Sequence, residues 1–136
     1  MNDIINKTFK KLQEKKLMLV TAESCTGGWV AKTVTDIAGS SAIFERGFVT
    51  YTNKSKEEML GVQAKTIETY GVVSENVVKE MASGALKNSE GDIAVSISGI
   101  AGPGGGSEKK PVGMVCFGLM MRGKDPIAFT LSLIHI

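Results

Sequence analysis

Apolar positions along this chain change their period several times, and each change predicts an element. In residues 3–16, Ile4, Ile5, Phe9 and Leu12 fall roughly on one helical face, with lysines around the rest. The continuous run Leu17-Met18-Leu19-Val20 predicts a buried strand over 17–21. Helical spacing returns over 25–38 and stops at Gly39-Ser40-Ser41. Residues 44–52 are rich in aromatic and β-branched side chains and predict a second strand. Ser55-Lys56-Glu57-Glu58 has the form of a capping box, with Ser55 as N-cap and Glu58 reaching back, so a short helix follows.

Residues 66–70 read as a helical turn stopped by Gly71, and Ser74 caps a longer helix to about Lys87. Its apolar contacts are Val77, Val78, Met81 and Leu86. A continuous apolar strand over 93–98 leads into a glycine-rich loop over 99–113. The strand over 112–121 returns from it, and another begins at 127–131. Strands alternating with helices predict an α/β fold, a three-layer α/β/α sandwich with helices on both faces of a central sheet.

A chain of 136 residues builds one domain with a real core, assigned here to residues 1–130. The 43% hydrophobic and 22% charged contents are ordinary for a globular protein. The net charge of +2 is small, and the basic residues are spread out apart from Lys10, Lys11, Lys15 and Lys16 on a helix face. That distribution lacks the footprint of a nucleic-acid binder. No apolar run is long enough for a membrane span, and the first residues lack the design of a signal peptide. The 2 cysteines, Cys25 and Cys116, form no C-x-x-C pair, which suits a reduced cytoplasmic protein. The last six residues, Leu-Ser-Leu-Ile-His-Ile at 131–136, resemble the in-frame translation of a sequencing adapter. On that reading the chain is cut from a longer frame, and the only histidine, His135, has no role; the alternative is a natural strand ending.

Three segments carry dense polar or glycine signals, each behind a predicted strand. They are Glu23-Ser24-Cys25-Thr26-Gly27-Gly28, Tyr51 to Lys56, and Ser98 to Ser107 followed by Lys110-Pro111-Val112-Gly113. Loops leaving the carboxyl ends of parallel strands are where α/β sheets bind ligands, so the three are expected to form one pocket.

Ser24 has three readings: nucleophile, anion ligand or cap of the following helix. As a nucleophile it needs a base, and with histidine unavailable the remaining route is a Ser–Lys pair. Lys56, in the first turn of the Ser55-capped helix, faces the positive end of a helix dipole that lowers its pKa. Tyr51 can orient that lysine or relay a proton, and N–H groups near Gly27 and Gly28 can hold an oxyanion. The plainer reading makes Lys56 a surface charge. Cys25 competes as nucleophile but reads as a small buried side chain, and Cys116 and Trp29 read as packing. The Gly102–Gly106 turns, with Ser107, Lys109 and Lys110, suit phosphate or ribose contacts but match no P-loop or dinucleotide fingerprint. No metal-ligand spacing is present.

Taken together, Ala22 to Gly28, Gly39 to Ala42 with Phe44, Gly47, Val49, Tyr51, Asn53 and Lys56, Gly99 to Pro103, Gly105-Gly106 and Lys110 to Gly113 form one ordered set. That set resembles the CinA C-terminal domain family, the nicotinamide-nucleotide amidohydrolases, from about residue 10 to about residue 120. The resemblance implies hydrolysis of the carboxamide of nicotinamide mononucleotide to nicotinic acid mononucleotide and ammonia, in pyridine-nucleotide salvage. It implies no metal and no cofactor. By position it makes Ser24 the nucleophile, supported by Lys56 and Tyr51. Thr26, Gly27, Gly28, Gly102, Gly105, Gly106 and Ser107 then frame the substrate. Ser98 stands where many relatives carry threonine, and Gly104 where an acidic or polar residue is common. The family's closing segment after the last strand is absent, so the C-terminal part of the fold is expected to be missing. The contrasting reading is a pyridine-nucleotide-binding module without catalysis. A homodimer, with no nucleic-acid or membrane partner, is the expected assembly.

Overall fold

The computed structural model describes residues 2–132 apart from 101, 103 and 109. Ala101, Pro103, Lys109 and His135, all weighed above, therefore lie outside the described residues. Helix α1 (Asn2–Lys15) leads to strand β1 (Leu19–Glu23), and α2 (Trp29–Thr35) to β2 (Phe44–Val49) through a short 3₁₀ turn at Ser40–Ala42. Three helices follow, α3 (Asn53–Leu60), α4 (Ala64–Tyr70) and α5 (Glu75–Lys87). Strands β3 (Ile93–Gly99), β4 (Met114–Met121) and β5 (Ile127–Ser132) complete the described chain.

The five strands form one sheet in the order β2-β1-β3-β4-β5. β1 runs parallel to both neighbours, and the β3–β4 and β4–β5 pairs are antiparallel. The chain leaves β1 toward β2 on one side and reaches β3 on the other, so the carboxyl end of β1 is a topological switch point. Such points open a crevice in parallel sheets. Glu23 is in register with Val49 and with Ile97, which brings the three parallel strands to a common edge.

Helices cover both faces, as the alternation of elements predicts. On one face Val20, Ala22, Ala94 and Cys116 pack against Val77, Val78, Met81, Ala82 and Ala85 of α5. On the other, Leu19, Ile93 and Val95 meet Phe9 and Leu12 of α1 and Val34 of α2. β5 leaves Ile127, Phe129 and Leu131 exposed, with Phe129 stacked on Phe117 at 5.1 Å between ring centroids.

Contact between α3 and α5 is closest at Gly84, where an added Cβ would fall on the Leu60 carbonyl. Backbone has no soft way out of such a clash. Gly84→Ala is expected to lower stability by about 1–3 kcal/mol, read as a lower denaturation midpoint with an unchanged slope.

Several boundaries differ from the sequence reading by a few residues, and three of them have a clear local reason. β1 starts two residues later, because Asp92, just before β3, takes both backbone groups of Met18: its N–H donates to Oδ2 at 2.8 Å, and its carbonyl accepts from the Asp92 N–H. α2 begins at Trp29 rather than 25, because Gly27 and Gly28 adopt left-handed φ of 59° and 101°. α3 starts at Asn53, with Thr52 as its N-cap and Ser55 at the third helical position. The Ser55 N–H donates to Thr52 Oγ1 at 3.0 Å, and the Thr52 N–H donates to Ser55 Oγ at 3.1 Å. That reciprocal pair displaces the expected Ser55–Glu58 box and makes Lys56 the fourth helical residue.

Candidate active site

Ser24 directly follows β1, and its N–H donates to the Ile97 carbonyl at 3.0 Å, extending the β1–β3 ladder by one rung. Thr50 does the same on the other side, donating its N–H to the Glu23 carbonyl at 2.8 Å. The serine is thus fixed between two strands. It caps no helix: the N-cap of α2 is Gly28, and the residues between them form a turn.

Lys56 reaches the same point from α3. It is only 1% exposed, and Ser24 is 7% exposed. Lys56 Nζ lies 2.9 Å from Ser24 Oγ, 2.9 Å from the Thr50 carbonyl and 3.3 Å from the Tyr51 carbonyl. The lysine is therefore not a surface charge. Among the described residues no carboxylate forms an ion pair with it. Burial pushes its pKa below the ordinary 10.5, since an ammonium loses its hydration there. Nζ donates to the Ser24 hydroxyl and to the two carbonyls; an amine that has lost one proton keeps two donors for the carbonyls and turns its lone pair toward Ser24 Oγ.

Tyr51 touches the lysine only through its backbone carbonyl, and its side chain is 67% exposed at the mouth of the cleft. The phenol is thus not hydrogen-bonded to Lys56. The cleft, of about 340 Å³, is lined by Ser24, Cys25, Tyr51, Asn53 and Lys56. Val72, Ser98, Ile100, Gly102 and Gly105 line it too. Burial raises the Cys25 thiol above its usual value, which keeps it protonated at neutral pH and disfavours it as the nucleophile.

The structure does not bring the remaining predicted residues to this cleft. Thr26 donates its hydroxyl to Glu23 Oε1 at 2.6 Å and lines a second, apolar cavity with Trp29, Val30 and Phe117. Gly27 and Gly28 shape the turn, and the Gly27 N–H donates to the Ser24 carbonyl at 3.0 Å. It is therefore unavailable to an oxyanion. Among the described residues the N–H groups of Cys25 and Thr26 donate to no backbone carbonyl, and both lie close enough to the Cys25 sulfur to favour its thiolate form. Gly106 packs against the backbone of Val112, and the Ser107 hydroxyl accepts from the Lys110 N–H at 3.1 Å within its own turn. Among the described residues no group of three His, Cys, Asp or Glu side chains is placed to hold a metal. Among them, too, no helix is long and apolar enough to cross a membrane.

The sequence reading placed Glu23 in the first polar segment but gave it no role. Its side chain is fully buried, yet it faces away from Ser24 because neighbouring strand residues alternate. A buried glutamate is rare and needs a dedicated set of donors, which only the folded structure reveals.

Fold and site together define an α/β domain whose parallel-strand edge opens on a buried serine–lysine contact. The chain belongs to the CinA C-terminal domain family, whose model matches residues 1–133. It is 65% identical over 106 residues to the nicotinamide-nucleotide amidohydrolase PncC of Escherichia coli K12, covering 78% of this chain and 64% of that protein. The PncC of Enterobacter agglomerans is 60% identical over 114 residues, covering 84% and 68%. The chain thus spans about two thirds of the length of these curated relatives. Among solved structures, the competence/damage inducible protein CihA of Agrobacterium tumefaciens superposes with a TM-score of 0.93 at 45% identity, covering 98% of this chain and 81% of that one. A CinA superfamily protein of Escherichia coli superposes with a TM-score of 0.89 at 34% identity, covering 94% and 74%.

Proposed function

We propose that the protein hydrolyses the carboxamide of nicotinamide mononucleotide, with Ser24 as nucleophile and Lys56 as its base. The observation that carries this reading is the 2.9 Å contact between Ser24 Oγ and a buried Lys56 amine held by two carbonyls. Amide hydrolysis by a serine needs a base that is uncharged near neutral pH, and desolvation supplies one without histidine. The names of the PncC relatives supply the substrate.

In the proposed reaction Ser24 Oγ attacks the amide carbon while its proton passes to Lys56 Nζ. This reading assigns the backbone N–H groups of Cys25 and Thr26, in the turn that directly follows Ser24, as donors to the oxygen that becomes negative. Lys56 then returns the proton to the departing nitrogen, which leaves as ammonia, and an ester joins the nicotinoyl carbon to Ser24. Water, deprotonated by Lys56, attacks that ester and frees nicotinic acid mononucleotide and Ser24. The nucleotide part lies along Gly102 and Gly105, which line the same cleft as Ser24 and Lys56.

Incubated with nicotinamide mononucleotide, the protein is expected to release ammonia and nicotinic acid mononucleotide in equal amounts, followed by coupled ammonia assay and chromatography. Saturable binding without product would identify a binding module instead.

A further inference from the structure

Glu23 carries a fully buried carboxylate with no cation beside it among the described residues. It accepts three hydrogen bonds: from Thr26 Oγ1 at 2.6 Å, from the Val30 N–H at 2.9 Å and from the Ala31 N–H at 2.9 Å. Val30 and Ala31 are the second and third residues of α2, whose own N-cap, Gly28, has no side chain to offer. The strand end therefore caps the helix that follows it, spanning the turn that contains Ser24.

We infer that Glu23 is a positioning residue for the proposed hydrolysis: its carboxylate pins α2 and Thr26 to β1 and so fixes the Ser24–Thr26 backbone. This inference rests on the reading of Ser24 as nucleophile. Oxygen-anion stabilisation depends on donors preorganised to within a fraction of an ångström. Here Ser24 and the N–H groups of Cys25 and Thr26 belong to a turn clamped at one end by β1 and at the other by Glu23. Thr26 is held by its side chain, so its N–H cannot rotate away without breaking a short, charge-assisted bond.

Glu23→Gln keeps the shape but replaces one acceptor oxygen with an NH₂ group, which points at a backbone donor or at Thr26. The comparison is Glu80→Gln. Glu80 anchors the start of α4, accepting from the N–H of its N-cap Gln63 at 2.8 Å and from Thr66 Oγ1 at 2.6 Å, and borders no part of the cleft.

With nicotinamide mononucleotide, Glu23→Gln is expected to lower kcat at least tenfold per folded molecule, with KM within about twofold and the pH midpoint of activity unmoved. Glu80→Gln is expected to lose stability but keep kcat. A kcat loss below tenfold for Glu23→Gln, an equal loss in Glu80→Gln, or a loss confined to KM would overturn the inference. If Glu23→Gln does not fold, Thr26→Val carries the test: a kcat loss of threefold or more at constant KM supports the inference, and a smaller one overturns it. Failure of the underlying reading shows separately, as a wild-type protein that neither turns over the nucleotide nor reacts at Ser24 with a fluorophosphonate probe.

Discussion

Ser24→Ala is expected to reduce turnover of nicotinamide mononucleotide by at least about a thousandfold, the scale lost when a covalent nucleophile is removed from a hydrolase. The fold should survive. Ser24 holds its place through its backbone N–H to Ile97, which alanine keeps. Lys56 retains its two carbonyl acceptors at Thr50 and Tyr51. The lost hydroxyl costs about 1 kcal/mol, small beside the catalytic effect. Melting curves and steady-state rates on the same preparation separate the two. Turnover within tenfold of wild type would remove Ser24 from the mechanism.

Lys56→Met is expected to cost a comparable factor in rate, because no other base contacts Ser24 among the described residues. Its second signature lies in stability against pH. Burial depresses the folded-state pKa of Lys56 below the 10.5 of the unfolded chain. Between those values the unfolded chain binds the extra proton, so wild-type stability rises with pH across that window and is lower by a constant amount beneath it. Methionine has no proton to gain. Relative to the variant, the wild type should therefore gain stability as pH rises toward 10.5, measured by denaturant titrations at several pH values. Parallel curves would mean that the lysine is not desolvated. Wild-type activity should also rise with pH through the folded-state value, since the amine, not the ammonium, accepts the serine proton.

Much of the architecture was legible because hydrophobic period and punctuation agree. Ser74 caps α5 as its position suggested, with its hydroxyl accepting from the Val77 N–H at 3.2 Å. Gly71 likewise closes α4. What misled was polar residues in the wrong environment for their type. Thr21 and Glu23 are fully buried inside β1, so the strand continues past the point where the apolar run ends. Two left-handed glycines delay α2 by four residues, and that delay detaches Ser24 from the helix. Thr-x-x-Ser imitates Ser-x-x-Glu closely enough for either to start α3.

The meeting of Ser24 and Lys56 could be read only in outline, as two loops on one sheet edge. Its intimacy depends on α3 lying close against α5, a matter of helix packing that no local pattern records. The same limit explains the substrate-side residues. Glycine and hydroxyl content drew Thr26 and Ser107 toward the substrate. In the structure both hydroxyls are occupied by neighbours three residues away, Glu23 and Lys110. A short polar side chain in a turn bonds its own backbone or a near neighbour first.

The snug crossing at Gly84 reaches further than packing. Lys56 and Leu60 are the two buried residues of α3 and lie one turn apart on a single face. A bulge under Leu60 would tilt the whole rod, and the amine at its other end would swing away from the serine. Gly84 thus sets the reach of a side chain it never touches. A blind mutational screen scored by product formation would rank this glycine beside the reacting groups, and only a separate count of folded molecules would tell a lever from a tool.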